Sequence, residues 1–203
     1  LGTGHAVQQA APELDRLGSD RVVILCGDVP LLRTETLQRL MDHGAGLLAM
    51  DLQDATGYGR VLEHGDGTLA GLVEHKDATE DQRAIRRANG GAYVLPWAPL
   101  RAALSDLKAD NAQREFYLTD AVVAAAGACP VRVVACPEEE LLGMNGRIDQ
   151  ATLQAFAKAR INRAWMEAGI TFLDPAAALV GPRVILGRDV PATAHVPQGV
   201  PVV

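Results

Sequence analysis

The residues best suited to chemistry in this chain are polar ones set at the ends of apolar runs. Asp28 stands out. It ends a run in Arg21-Val22-Val23-Ile24-Leu25-Cys26-Gly27-Asp28-Val29-Pro30, where five apolar residues and a Gly lead into one carboxylate. Such a run reads as a strand buried on both faces of a parallel sheet, and ligands of open α/β sheets sit beyond the carboxyl ends of strands. An ionised Asp there suits a hard cation such as Mg²⁺, which takes one or two protein ligands plus phosphate oxygens. The plainer reading of Gly-Asp-x-Pro is a turn or helix cap.

Five further clusters carry the same two readings. Gly2-Thr3-Gly4 opens a helix, where glycines allow a ligand close to the backbone and N-terminal N–H groups favour anions; short glycine loops are also common. Thr56-Gly57-Tyr58-Gly59-Arg60 and Val73-Glu74-His75-Lys76-Asp77 lie at strand ends and read otherwise as turns. Asn89-Gly90-Gly91 precedes a strand and could offer an amide donor and acceptor to a sugar hydroxyl, or form a turn. In Gly143-Met144-Asn145-Gly146-Arg147, Asn145 is a natural N-cap, and its carbonyl oxygen could also serve a hard metal.

The elements that would position these groups alternate. A helix from His5 to Leu17, a strand at Val22–Cys26, a helix capped by Thr34 and a strand at Gly46–Leu52 form a β-α-β pattern that implies a parallel sheet. A hairpin follows around His64-Gly65-Asp66-Gly67, then a short helix over Glu80–Arg87 and a strand at Ala92–Pro96. Helices over Ala98–Leu107 and Tyr117–Ala126, a strand at Val131–Ala135 and a long helix over Ile148–Ala168 complete this part. From Val180 a six-residue period appears in Val180–Ile185, Leu186–Pro191 and Ala192–Pro197, similar to a left-handed parallel β-helix.

The bulk properties narrow the classes. The 203 residues are 48% hydrophobic, enough for a real core. Nineteen Lys and Arg against 25 Asp and Glu give a net charge of −6, which argues against nucleic-acid or anionic-membrane surfaces. Cys26, Cys129 and Cys136 form no C-x-x-C, a pattern expected of a reduced, cytoplasmic protein. No apolar run reaches the ~18 residues of a membrane span.

In order along the chain, the motifs are Leu-Gly-Thr-Gly-His-Ala at 1–6, Gln-Gln-Ala-Ala-Pro at 8–12, Gly-Asp-Val-Pro at 27–30, Gly-Tyr-Gly-Arg at 57–60, Val-Glu-His-Lys-Asp-Ala-Thr at 73–79, Asn-Ala-Gln-x-Glu at 111–115 and Gly-x-Asn-x-Arg at 143–147. Together they resemble the bacterial bifunctional N-acetylglucosamine-1-phosphate uridyltransferase/glucosamine-1-phosphate N-acetyltransferase family. The resemblance runs from Leu1 to about Val190. It implies a Rossmann-like α/β nucleotidyltransferase domain over 1–146, a linker helix over 147–169, and the first coil of a left-handed β-helix over 170–203.

The resemblance also implies an activity. UTP and N-acetylglucosamine 1-phosphate would yield UDP-N-acetylglucosamine and pyrophosphate, a cell-wall precursor step, with Mg²⁺ as cofactor. It implies that Asp28 and Asn145 are the metal ligands, that Gly2, Thr3, Cys26 and Gly27 line the nucleotide site, and that Gly59, Glu74 and Asn89 hold the N-acetylglucosamine moiety. Cys26 stands where the family often has an aromatic residue, and Asn89-Gly90-Gly91 replaces its usual Asn-Thr-Gly. The intact parent is expected to be a homotrimer. The family's opening strand and phosphate-cradling glycine loop with its lysine do not occur in the chain. An opened sheet edge and weak turnover by this polypeptide are therefore expected. Two alternatives remain: another sugar-1-phosphate nucleotidyltransferase, and a non-catalytic fragment that at most binds sugar nucleotide.

Overall fold

The structure is a computed structural model. It describes residues 1–184 and the backbone of 195–196. The chain divides into two compact units, Leu1–Leu142 and Gly143–Val203.

The first unit runs α1 (Thr3–Leu17), β1 (Arg21–Ile24), α2 (Thr34–Asp42), β2 (Gly46–Asp51), β3 (Arg60–Glu63), β4 (Leu69–Val73), α3 (Glu80–Arg83), β5 (Arg87–Pro96), α4 (Trp97–Ser105), α5 (Leu118–Ala126), β6 (Arg132–Ala135) and α6 (Glu138–Leu141). The sheet order is β4-β3-β5-β2-β6, with β1 also bonded to β5. Tyr93 faces both Leu47 and Ile24, and Ala88 faces both Met50 and Arg60. The long β5 thus carries β2 along one side, and β1 and β3 end to end along the other.

The sheet is mixed, not parallel. β5 is antiparallel to β1, β2 and β3, and β2 with β6 is the one hydrogen-bonded parallel pair of this sheet among the described residues. The β-α-β reading of β1 and β2 has a physical basis, because both run the same way. β5 enters between them from later in the chain.

The two-sided burial expected of β1 belongs instead to β2. Leu47 and Ala49 join a core cluster with Leu95, Trp97, Leu100, Leu104 and Val122, while Leu48 and Met50 join another with Leu40, Val94 and Leu141. Helices α1, α4 and α5 cover the first face; α2 and α6 cover the second. On β1 only Val22 is fully buried, and Val23 is 44% exposed, with Leu25 just beyond the strand at 47%. β1 pairs with β5 and with no other strand among the described residues.

Local chemistry explains several boundaries. The β3–β4 hairpin turns at His64–Gly67, where Gly67 has φ 78° and the His64 and Thr68 backbones bond at 2.8 Å. Thr79 and Gln82 form a reciprocal capping box that starts α3. Thr34 is the first helical residue of α2 rather than its cap; that position is Arg33, with no side-chain bond. Asn89-Gly90-Gly91 lies inside β5 rather than before it.

In the second unit, α7 (Arg147–Glu167) is followed by β7 (Leu179–Val180) and β8 (His195–Val196), which pair in parallel. Gly146, not Asn145, occupies the N-cap of α7. Ile170, Phe172, Ala178, Val180 and Val184 form a small core against Ile161 and Trp165. Buried Asn162 donates through Nδ2 to the Pro175 and Ala178 carbonyls at 2.8 and 2.9 Å, tying α7 to the following turn. The six-residue period falls largely on residues 185–194 and 197, outside the described residues.

Candidate functional site

The site is assembled where β1 ends and β3 begins, around a bend in β5 that lies opposite the middle of β2. Gly91 has φ 69°, a conformation that favours glycine. Its carbonyl accepts a bond from the Cys26 thiol at 3.4 Å, and its N–H donates to Asn89 Oδ1 at 3.2 Å. A Cβ on Gly91 would lie 2.6 Å from Cys26 Sγ. The end of β1 is thus fastened to the Asn-Gly-Gly bend. A Cβ on Gly90 would lie 2.5 Å from Leu141 Cδ1 and 2.9 Å from the Leu48 carbonyl. Leu141 of α6 fills the space a side chain would need, which accounts for glycine there.

The three residues expected to hold a sugar come together from three elements. Gly59 precedes β3, Glu74 follows β4 and Asn89 is in β5. A Cβ built on Gly59 would be 3.5 Å from Glu74 Oε2 and 3.6 Å from Asn89 Cβ. The Asn89 N–H donates to the Gly59 carbonyl at 2.9 Å.

Asn89 spends part of its amide on the protein. Nδ2 donates to the Tyr93 hydroxyl at 2.6 Å while Oδ1 accepts from Gly91. An amide has two N–H donors and two lone pairs, so one of each remains. Tyr93 is buried, and burial pushes its phenol well above the usual range, so it remains a neutral partner.

Glu74 accepts from Thr119 Oγ1 at 2.9 Å through Oε1. Burial pushes its carboxyl above the usual range, the Thr119 bond opposes that shift, and the Asp120 and Asp77 carboxylates reinforce it. Asp77 itself accepts from the Ala112 N–H at 2.9 Å and from the Tyr117 hydroxyl at 3.1 Å. Burial and this bond push the Tyr117 phenol up to about 12. Thr119, Asp77, Tyr93 and Tyr117 were not singled out as site residues by sequence reasoning. Asp77 sits within a quoted motif, and the other three lack any spacing signal.

The Gly2-Thr3-Gly4 segment is packed on the chain itself. Its glycines admit the chain's own backbone. A Cβ on Gly2 would lie 2.7 Å, and one on Gly4 2.8 Å, from the Phe116 carbonyl. Gly4 N–H donates to that carbonyl at 2.8 Å, and Thr3 Oγ1 accepts from the Leu118 N–H at 3.2 Å. The start of α1 is docked on residues 116–118, and Thr119 then reaches Glu74. Thr3, Glu74, Asn89 and Cys26 therefore belong to one connected framework.

Gly27 and Asp28 occupy the exposed turn after β1. The Cys26 thiol is pushed up by burial and, to a lesser degree, by the Asp28 charge. Among the described residues no hydrogen bond or ion pair engages the Asp28 carboxylate, and no group of three or more His, Cys, Asp or Glu could cage a metal. A single free carboxylate fits Mg²⁺, which keeps most of its shell for water and phosphate, and does not fit zinc. Asn145 lies in the second unit, before α7, and its N–H donates to Asp149 Oδ2 at 3.0 Å.

No family model matches the chain. The bifunctional protein GlmU of Alkalilimnicola ehrlichii is 49% identical over 181 residues, covering 86% of this chain and 38% of the relative. The GlmU protein of Exiguobacterium sibiricum is 41% identical over 197 residues, covering 93% and 44%. The chain thus spans about two fifths of these relatives' length. Among solved structures, a nucleoside-diphosphate-sugar pyrophosphorylase from Vibrio cholerae matches with a TM-score of 0.53 at 11% identity, over 75% of this chain and 64% of that one. That likeness bears on the fold: a mixed sheet with helices on both faces. Over the stretch it spans, the chain is similar to part of the bifunctional GlmU proteins.

Proposed function

We propose that this chain supplies the sugar-phosphate half of a uridyltransferase site. UTP and N-acetylglucosamine 1-phosphate are the substrates, and UDP-N-acetylglucosamine and pyrophosphate the products. The observation that carries the reading is the meeting of Gly59, Glu74 and Asn89 across three elements, with donors and acceptors left over. Glu74 Oε2, with the N–H and lone pair that Asn89 has left, is a set suited to a sugar's hydroxyls.

In this reading the chain's residues bind and orient. Glu74 Oε2 accepts from a sugar hydroxyl while Thr119 fixes Oε1. Asn89 offers its second N–H. Cys26 and Gly27 line the strand end beside the nucleotide, and Gly2 and Thr3 line the same site, with Thr3 Oγ1 held by the Leu118 N–H. A phosphate monoester is already an anionic nucleophile, so no protein base is assigned; positioning and charge neutralisation carry the reaction. Asp28 and Asn145 would hold Mg²⁺, which when bound neutralises charge on the reacting phosphates. The β-helix coil, the homotrimer of the whole protein, its acetyltransferase and its cytoplasmic setting belong to the same reading.

The test uses a polypeptide of the relatives' full length that carries this sequence. Pyrophosphate release from the two substrates with Mg²⁺ is compared with that of Asp28→Asn. A loss of ~10²-fold or more at unchanged melting temperature is expected, on the scale of removing one preorganised charge-stabilising group. Turnover near wild type, or none from the wild-type sequence, contradicts the reading.

A further inference from the structure

Arg60 is the largest fully buried side chain of the first unit, at 2% exposure, and its charge meets no carboxylate within ion-pair distance among the described residues. Burying a cation without a counter-ion is costly, so the contacts that replace one are informative. Nη1 donates to the Tyr58 carbonyl, and Nη2 donates to the Arg83 carbonyl at 3.2 Å, at the end of α3. Nε is buried with no partner among the described residues. The guanidinium is therefore used on two backbone carbonyls, one of them in the loop that presents Gly59.

That loop bond has a geometric consequence. In a trans peptide the N–H points away from the C=O of the preceding residue, and no peptide among the described residues is cis. With the Tyr58 carbonyl turned onto buried Arg60, the Gly59 N–H faces the opposite side. Gly59's carbonyl accepts from Asn89, but its N–H donates no hydrogen bond among the described residues. On the Cα beside it, a Cβ would lie 3.5 Å from Glu74 Oε2.

We propose that Arg60 is a positioning residue of the sugar-phosphate pocket. Its buried guanidinium holds the Tyr58 carbonyl so that the Gly59 N–H stays free to donate to an oxygen of the bound sugar phosphate. This rests on the function proposed above. Arg60 touches no substrate; it acts through the Tyr58–Gly59 peptide. Its second bond, to Arg83, anchors the guanidinium so that the peptide cannot turn over.

The test follows the Gly59 amide by ¹H–¹⁵N NMR of the 203-residue chain during titration with N-acetylglucosamine 1-phosphate. In the wild type this amide should shift strongly as the ligand saturates. Arg60→Lys keeps the charge and donors but loses the planar fork that reaches both carbonyls; Arg60→Met keeps neither charge nor donors. Affinity should fall in the order wild type, Lys, Met, by about tenfold or more for Met. The Gly59 shift should shrink in step, while the amides of Gly91 and Val94 keep their positions and UTP affinity is unchanged. Wild-type affinity in Arg60→Met overturns the role of Arg60. Binding without a Gly59 shift in the wild type overturns the proposal even if both variants fail to fold. Absence of any sugar-phosphate binding overturns instead the proposed function on which it stands.

Discussion

At the scale of single residues, Glu74 is where environment and role conflict. Burial disfavours its ionised form, and the Asp120 and Asp77 carboxylates add repulsion that the Thr119 bond only partly offsets. Its folded-state pKa is therefore raised, and the folded chain holds that proton more tightly than the unfolded one. The stabilising contribution is complete below the unfolded-state value and is lost as pH rises through the folded-state value. Glu74→Gln stays neutral throughout, and its amide oxygen can still accept from Thr119. The variant should match the wild-type melting temperature in acid below the usual glutamate range and exceed it at neutral pH. A lower melting temperature at neutral pH would show that the carboxylate is stabilised where it sits. Such a residue fits a site that accepts instability in the free protein to meet a ligand.

At the scale of elements, the bend in β5 does most of the positioning. Gly91 is in the left-handed region, and the same bend carries Asn89 on one flank and the Cys26 contact on the other. Gly91→Ala should destabilise the fold by roughly 1–2 kcal/mol, the cost of that backbone conformation for a residue with a Cβ. The Cys26 side chain can swing clear of the added methyl, so the backbone term dominates. Urea denaturation measures it, and an unchanged midpoint would mean the bend relaxes freely. The bend also marks where sequence reasoning stopped. Ala92–Pro96 was legible as a strand from its apolar residues, but Arg87–Gly91 was not, because glycines and polar residues read as a turn. The apolar run at Val22–Leu25 was legible as a strand, and its two-sided burial was not. Pairing with a strand more than sixty residues later decides which faces are covered, and periodicity carries no trace of it. The Asp-Gly hairpin and the long α7 were readable because their signals are local.

At the scale of the whole molecule, the first unit gathers eight of the nine sequence-derived site residues, and Asn145 belongs to the second. Ordered motifs made the eight legible as a set. Their supports were not, since Thr119, Tyr93 and Asp77 act through contacts that span sequence separations of 45, 4 and 35–40 residues. The glycines near the start were legible as close-approach positions, and the group that approaches them within the chain is the Phe116 carbonyl. The central claim is that Gly59, Glu74 and Asn89 form a pocket for the sugar phosphate, distinct from the place that takes the nucleotide. Calorimetric titration of the 203-residue chain and its Glu74→Ala variant, with N-acetylglucosamine 1-phosphate and separately with UTP and Mg²⁺, tests it most directly. The account predicts that the variant loses about tenfold or more in affinity for the sugar phosphate, the scale of one charge-assisted hydrogen bond, with UTP binding unchanged. Equal losses for both ligands, or undiminished sugar-phosphate binding, would contradict it.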